Sequence, residues 1–377
     1  GLAIVASACS STPAGSGVPA SAGTASKAPA SAGTASGGTA SGSVGFFLPE
    51  KQTARYEAKD KPLFTAEFTK VCPNVKLNYY NAGGSDATQQ QQADAAIAAG
   101  DKVFVFDPND AKAGGAIATS AAAKGIKIIS YDRLLLGGSK PDLYVEFDSS
   151  SVGKLQGEAL LADLTKMGMA SAKLLWINGS PKDNNATLFK AGAHSVLDGK
   201  VTIVKEDAMA NWKPEEAQAI TEAAIASLGK TGFDGVYVAN DGGAGGVIAA
   251  LKAGGVDPKK IPVTGQDAEL SAIQRIVVGD QFMTVYKPIK TLAEASADAA
   301  CDMINGKAVD TAKFNATENN GTADIPTQKI AVVPVTVDGK IANTKSVMDS
   351  VVADGFYSVA DICTSDYAAA CTAAGVK

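Results

Sequence analysis

VFVFDPNDAKAGGAIATSAAAKGIKIISYDR, residues 103–133, changes its pattern twice, and those two changes decide the fold class. It opens on the apolar run Val103-Phe104-Val105-Phe106 and breaks at Asp107-Pro108-Asn109-Asp110. A helix of small residues follows to Lys124 and stops at Gly125; a second apolar run, Ile126 to Ser130, then delivers Tyr131-Asp132-Arg133. Strand, helix and strand in this order predict parallel strands covered by helices.

Outward from this unit the order repeats. Upstream lie the strand Val44-Gly45-Phe46-Phe47-Leu48, a helix beyond Arg55, the strand Val75–Tyr79 and the helix Asp86–Ala99, where Asp86 with Gln89 predicts a capping box. Downstream come the strand Lys173–Ile177, the loop Asp183-Asn184-Asn185, a helix, the strand Val201–Lys205 and a helix opened by Pro214-Glu215-Glu216. Gly235-Val236-Tyr237-Val238-Ala239-Asn240-Asp241 matches the Val103 strand, and Ile261-Pro262-Val263-Thr264-Gly265-Gln266-Asp267 matches the strand before Asp132. The expectation is an α/β protein of two similar doubly wound parallel-sheet lobes, joined by a hinge with crossovers near Asp148, Lys287 and Val332. The first lobe is 44–147 with 288–331, the second 148–287 with 332–357, and a C-terminal extension covers 358–377.

In open parallel sheets ligands gather at the carboxyl ends of the strands. The residues there are Asp132, Arg133, Asp183, Asn185, Asn240, Asp267 and Lys287, with Arg55 and Tyr56 early and Trp212 in the loop Ala210–Pro214. Carboxylates accept, Arg and Lys donate, amides do both, and aromatic faces cover C–H surfaces, which is the mixture a sugar needs. Asp and Asn at strand ends are also ordinary helix caps. Trp176, inside an apolar strand, reads as core.

Composition narrows the function classes. The 377 residues carry 34 basic and 39 acidic side chains, net charge −5, so no basic field is present for nucleic acid. One histidine, His194, leaves little for histidine-dependent catalysis and reads as a solvated or packed residue. No metal site or cofactor is expected. Of five cysteines, Cys363 and Cys371 could close a local loop and Cys72 with Cys301 a long one; free thiols are the alternative.

The first nine residues, GLAIVASAC, look like the tail of a bacterial lipoprotein signal, with Cys9 the lipidated residue. Residues 10–43, nearly all Ser, Thr, Ala, Gly and Pro, read as a flexible tether. Together they predict an exported monomer, lipid-anchored to the outer face of the cytoplasmic membrane.

Tyr131-Asp132-Arg133, Gly179–Ala186, Ala239-Asn240-Asp241, Gly265–Ala268, Thr284–Pro288 and Asp354-Gly355-Phe356 resemble the motifs of periplasmic D-xylose-binding proteins of ABC importers, within the type I periplasmic binding protein family. The resemblance implies that Arg55, Arg133, Asp183, Asn185, Asn240, Asp267 and Lys287 hydrogen-bond a monosaccharide, xylose being favoured, with Asp132 nearby. It also implies that Tyr56 and Trp212 sandwich the ring and that an ABC permease is the partner. The residues around Arg55-Tyr56 and the segment holding Cys363 and Cys371 depart from that pattern.

Two other classes compete. An enzyme would use the Gly-rich stretch Asp241–Gly246 as a dinucleotide loop, but Ile248 stands where the third glycine belongs, or would use Asp183 and Asp267 as a glycosidase pair, though their Arg and Asn neighbours suit holding hydroxyls. A transcriptional regulator would begin with a helix-turn-helix, where this chain has its signal-like segment and tether.

Overall fold

The structure, a computed structural model, describes residues 42–377 except 170 and 342. Cys9 and residues 10–41 of the expected tether lie outside the described residues, and Ser43 is already the first, buried residue of a strand.

The chain builds most of one lobe first: β1 (Ser43–Leu48), α1 (Lys61–Val71), β2 (Lys76–Asn81), α2 (Asp86–Ala99), β3 (Asp101–Phe106), α3 (Ala111–Ala122), β4 (Lys127–Tyr131) and β5 (Leu143–Phe147). It crosses to a second lobe of α4 (Ser149–Lys166), β6 (Lys173–Asn178), α5 (Asn184–Leu197), β7 (Thr202–Ala208), α6 (Pro214–Leu228), β8 (Gly235–Val238), α7 (Asp241–Ala253), α8 (Leu270–Val278) and β9 (Thr284–Tyr286). After Lys287 it returns with α9 (Ile289–Ile304), β10 (Ala316–Asn319) and β11 (Asp324–Ile330), then crosses again to β12 (Val333–Val335), α10 (Val359–Ile362) and α11 (Ala368–Ala374).

The first lobe holds a seven-stranded sheet ordered β10-β11-β5-β4-β3-β1-β2. Its register sets Phe46 of β1 beside Tyr79 of β2 and Val105 of β3. In the second lobe β7-β6-β8 run parallel, and Val263 bridges Val236 to extend them. Backbone bonds from Phe282 to Val263 (3.1 Å) and from Val285 to Gly265 (3.0 Å) add β9, which pairs with β12. The sheets are therefore mainly parallel, with an antiparallel pair at one edge of each. The β10–β11 pair is antiparallel because four residues, Asn320 to Ala323, join the strands, and a parallel pair needs a crossover of a dozen or more.

Local chemistry explains where the helices start. Asp110, Asp148, Asp183 and Asn240 each accept a backbone N–H from the first turn of α3, α4, α5 and α7. The expected Asp86–Gln89 capping box is not what forms. Ser85 caps α2 by accepting from Thr88, which frees the Gln89 side chain to donate to the Asp107 carbonyl (2.8 Å) and accept from the Asn109 N–H (2.9 Å). Trp176 is fully buried, stacked between Tyr237 and His194 at 4.2 Å each, and His194 Nδ1 lies 2.7 Å from Asp198.

Cys72 is bonded to Cys301 and Cys363 to Cys371. Residues 358–377 are packed as part of the second lobe: Ile362, Cys371 and Val376 are buried in one cluster with Ile273, Ile276 and Val277 of α8.

Candidate functional site

Parallel strands deliver their carboxyl ends to one edge of each sheet, and the two edges face each other across a small polar cavity. All ten residues singled out from the sequence line it: Arg55, Tyr56, Asp132 and Arg133 from the first lobe, Asp183, Asn185, Trp212, Asn240 and Asp267 from the second, and Lys287 at the crossover. Each is at most 5% exposed, so the lobes are closed.

Charge is balanced residue by residue. Arg55 is held by Asp60 (2.7 and 2.9 Å) and Asp132 (3.2 Å), and reaches across the cleft to Asp267 (3.7 Å). Lys287 meets the same Asp267 oxygen at 3.2 Å, and Arg133 crosses to Asp183 at 3.0 Å. Three cations and three carboxylates line the cavity, which suits an uncharged ligand. Burial pushes the Asp132 carboxyl up, but Arg55, Lys287 and Arg133 outweigh it and hold Asp132 below the usual carboxylate range. Burial dominates at Asp183 and raises it despite Arg133.

The caps serve twice. Asp183 spends Oδ1 on the α5 N-terminus and Oδ2 on Arg133, and Asn240 Oδ1 accepts from Gly243 (2.9 Å). Asn185 sends Nδ2 across the cleft to the Asp132 carbonyl (2.9 Å). Three buried polar atoms on the lining have neither a hydrogen-bond partner nor an ion pair: Asn185 Oδ1, Gln266 Oε1 and Trp212 Nε1. An unmet buried polar atom costs about 1–3 kcal/mol, so this cluster marks a place built for a ligand rich in hydroxyl groups.

Backbone conformation marks the same place. Of the five described non-glycine residues with left-handed φ, Asp132 (58°), Trp212 (58°), Asp267 (98°) and Ala268 (52°) lie at or beside the cavity. Each costs on the order of 1–3 kcal/mol, tolerated where the surroundings fix it. The Trp212 indole lies against Gly179, where a Cβ would sit 1.9 Å from the ring, so only glycine leaves room for it.

Sequence reasoning missed Thr53, Phe189 and Gln266 on the lining, and Glu50, Asp60 and Asp107 behind it. Two had legible signals: Phe189 follows Asn185 by four positions on α5 and shares its face, and Gln266 adjoins Asp267. Asp60 had none, because only the π-helical turn Tyr56–Asp60 carries it under Arg55 and the Tyr131 hydroxyl (2.7 Å).

Two α/β lobes of this topology around a buried polar cavity define a solute-binding protein of the type I periplasmic class. The chain belongs to the periplasmic binding protein family, whose pattern, described as "Periplasmic binding protein domain", matches residues 44–308. It is 33% identical to the D-xylose-binding periplasmic protein of Escherichia coli (strain K12), over 85% of this chain and 92% of that one. It is 30% identical to a multiple sugar-binding periplasmic receptor of Rhizobium radiobacter, over 85% and 92%. The crystal structure of a carbohydrate transporter solute binding protein from Chloroflexus aurantiacus, in complex with D-glucose, is similar with a TM-score of 0.73, 31% identity, and coverage of 84% of this chain and 97% of that one. These relatives are solute-binding proteins.

Proposed function

We propose that this protein binds a monosaccharide, D-xylose foremost, between its lobes and presents it to an ABC permease, without catalysing a reaction on it. The observation that carries the reading is the set of three unpartnered polar atoms in a buried, charge-balanced cavity. Two are acceptors and one is a donor, so the ligand must both donate and accept while carrying little net charge, which describes a sugar better than a sugar acid or an amino acid. The xylose-binding and glucose-bound relatives support the choice of ligand class.

Hinge motion at the three crossovers would open the site. Opening must break the Arg133–Asp183 pair, the Asn185 bond to Asp132, the bond from the Ala111 N–H to the Lys182 carbonyl (3.0 Å) and the Lys182–Asp86 pair (2.7 Å). Tyr56 and Trp212 stand on opposite lobes, so closure brings both aromatic side chains to the ligand. The closed shape is then what a permease distinguishes from the open one. A lipid on Cys9 belongs to the same proposal: Cys9→Ala in cells should move the protein from the membrane to the soluble fraction.

Calorimetric titration with xylose, arabinose, ribose, glucose and galactose tests the reading, with xylose expected to bind most tightly. Binding of none of them at millimolar concentration refutes it. Sugar should also change Trp212 fluorescence and leave the buried Trp176 unaffected. Gly179→Ala, which displaces the Trp212 ring, should weaken xylose by roughly tenfold or more, at about 1.4 kcal/mol per decade.

A further inference from the structure

Beside the sugar cavity, and separated from it by Arg55 and Asp267, a second groove runs along the seam between the lobes. Glu269, the residue preceding α8, lies in its wall, 8% exposed as a residue and with Oε1 lacking a hydrogen-bond partner. The facing wall comes from the other lobe, at Ala54, Ala58 and Lys59. We propose that Glu269 is a proton-binding site at the lobe seam: closing the lobes around the sugar moves one proton from solvent onto its carboxyl group. This inference rests on the sugar-binding, hinge-closing reading above.

The charged groups around Glu269 favour that proton. On its own segment Asp267 lies close by, and at the start of α7 the buried Asp241 accepts the Glu269 N–H (3.0 Å). Arg275 of α8 supplies an opposing charge, but it is committed to the Asp241 carbonyl (2.7 Å) and Gln281 (2.9 Å). Lys59, from the first lobe, is turned to the Phe356 carbonyl (2.5 Å) and lies 4.2 Å from the Tyr357 ring centroid. The C-terminal segment adds the Tyr357 phenol and the Asp361 carboxylate, and Arg55 spends its guanidinium on Asp60 and Asp132. Burial first, then Asp241 and Asp267, push the Glu269 carboxyl up to about 8, against Arg275.

The sign follows from linkage. Opening withdraws the facing wall at Ala54, Ala58 and Lys59 and lets water reach the carboxyl, which lowers it from that closed-form value although Asp241 and Asp267 stay beside it on the same lobe. Between the open-form and closed-form values the closed form holds the extra proton, so closure and sugar affinity are favoured at lower pH and weaken as pH rises through the closed-form value.

The experiment is xylose titration calorimetry of the wild type and Glu269→Gln from about pH 6 to about pH 8.5, in buffers of different ionisation enthalpy. One proton corresponds to at most about a tenfold loss of affinity per pH unit. The wild type should lose affinity severalfold per unit near neutrality and take up a proton from the buffer, whereas Glu269→Gln should bind with a flatter pH profile and correspondingly less uptake. Sugar binding without proton uptake in the wild type, or with unchanged uptake in Glu269→Gln, overturns the proposal and leaves the sugar reading intact; the wild-type result decides even if the variant does not fold. Absence of heat with every monosaccharide instead defeats the sugar reading. The seam is then tested by small-angle scattering without sugar, where the wild type must compact as the pH falls and constant dimensions overturn the proposal.

Discussion

Arg133→Ala is expected to lose xylose binding by at least a hundredfold and to unfold at markedly lower temperature. Arg133 is almost fully buried and is the cation shared by three carboxylates: Asp183 at 3.0 Å, Asp107 at 3.7 Å and Glu50 at 3.8 Å. Asp107 is wholly buried, and neither of its oxygens has a hydrogen-bond partner, so Arg133 is its main compensation. Removing one partner of a buried ion pair costs about 3–5 kcal/mol, because the other charge stays behind. At about 2–4 °C per kcal/mol, the unfolding midpoint should drop by roughly 6–20 °C.

The pH dependence of that deficit identifies its cause. Burial raises the Asp183, Asp107 and Glu50 carboxyls in the folded protein, and losing Arg133 raises them further. A carboxyl raised on folding costs nothing below its unfolded value and progressively more as pH climbs to its folded value. The stability gap between Arg133→Ala and wild type should therefore be small near about pH 4 and wide at about pH 8. A gap that does not change with pH would mean lost packing and not stranded charge. Arg133→Lys keeps the charge but not the planar fork, and should recover stability more than sugar affinity. Wild-type affinity in Arg133→Ala would remove Arg133 from the site.

How far the sequence could be read follows from which interactions are local. The strands β1, β3, β6 and β8 are short apolar runs ended by polar residues, so periodicity finds them and the topology of parallel sheets sends their ends to one cavity. Asp132, Asp183 and Asn240 could be named in this way, since a cap at a strand end faces the cleft whether or not it also holds a helix.

The missed residues depend on distant partners. Asp60 reaches the site only through one π-helical turn, and Asp107 was visible at the end of its strand but not as the counter-charge of Arg133. The segment before β9 ends near Asp267 in a left-handed backbone that no composition rule foretells for Asp or Ala. The two antiparallel edge pairs were missed for a related reason, because β10 and β12 are too short for their direction to show in apolar periodicity. The fate of the C-terminal residues was equally hidden, since Ile362 and Val376 find their place only against α8.

The second large effect concerns how the first lobe is assembled. Its sheet is interrupted between β5 and β11, the chain leaving at Asp148 and returning after Lys287, so α9, β10 and β11 must rejoin a body made more than a hundred residues earlier. The Cys72–Cys301 bond ties the end of α1 to α9, across that interruption, at a sequence separation of 229. Chain-entropy arguments for a loop this long give about 5 kcal/mol, against about 2.5 kcal/mol for Cys363–Cys371 at a separation of 8. The double variant Cys72→Ser/Cys301→Ser should therefore lose about twice as much stability in urea unfolding as Cys363→Ser/Cys371→Ser. Because neither sulfur lines the cavity, xylose affinity should be retained wherever the variant is folded. Sugar itself should then restore part of the lost stability, since a ligand that binds only the closed, folded protein stabilises it by about 2.7 kcal/mol at a hundred times its Kd. Equal losses from the two bonds would mean that the returning segment is held by its packing against α1 and the sheet, with the long loop contributing nothing of its own.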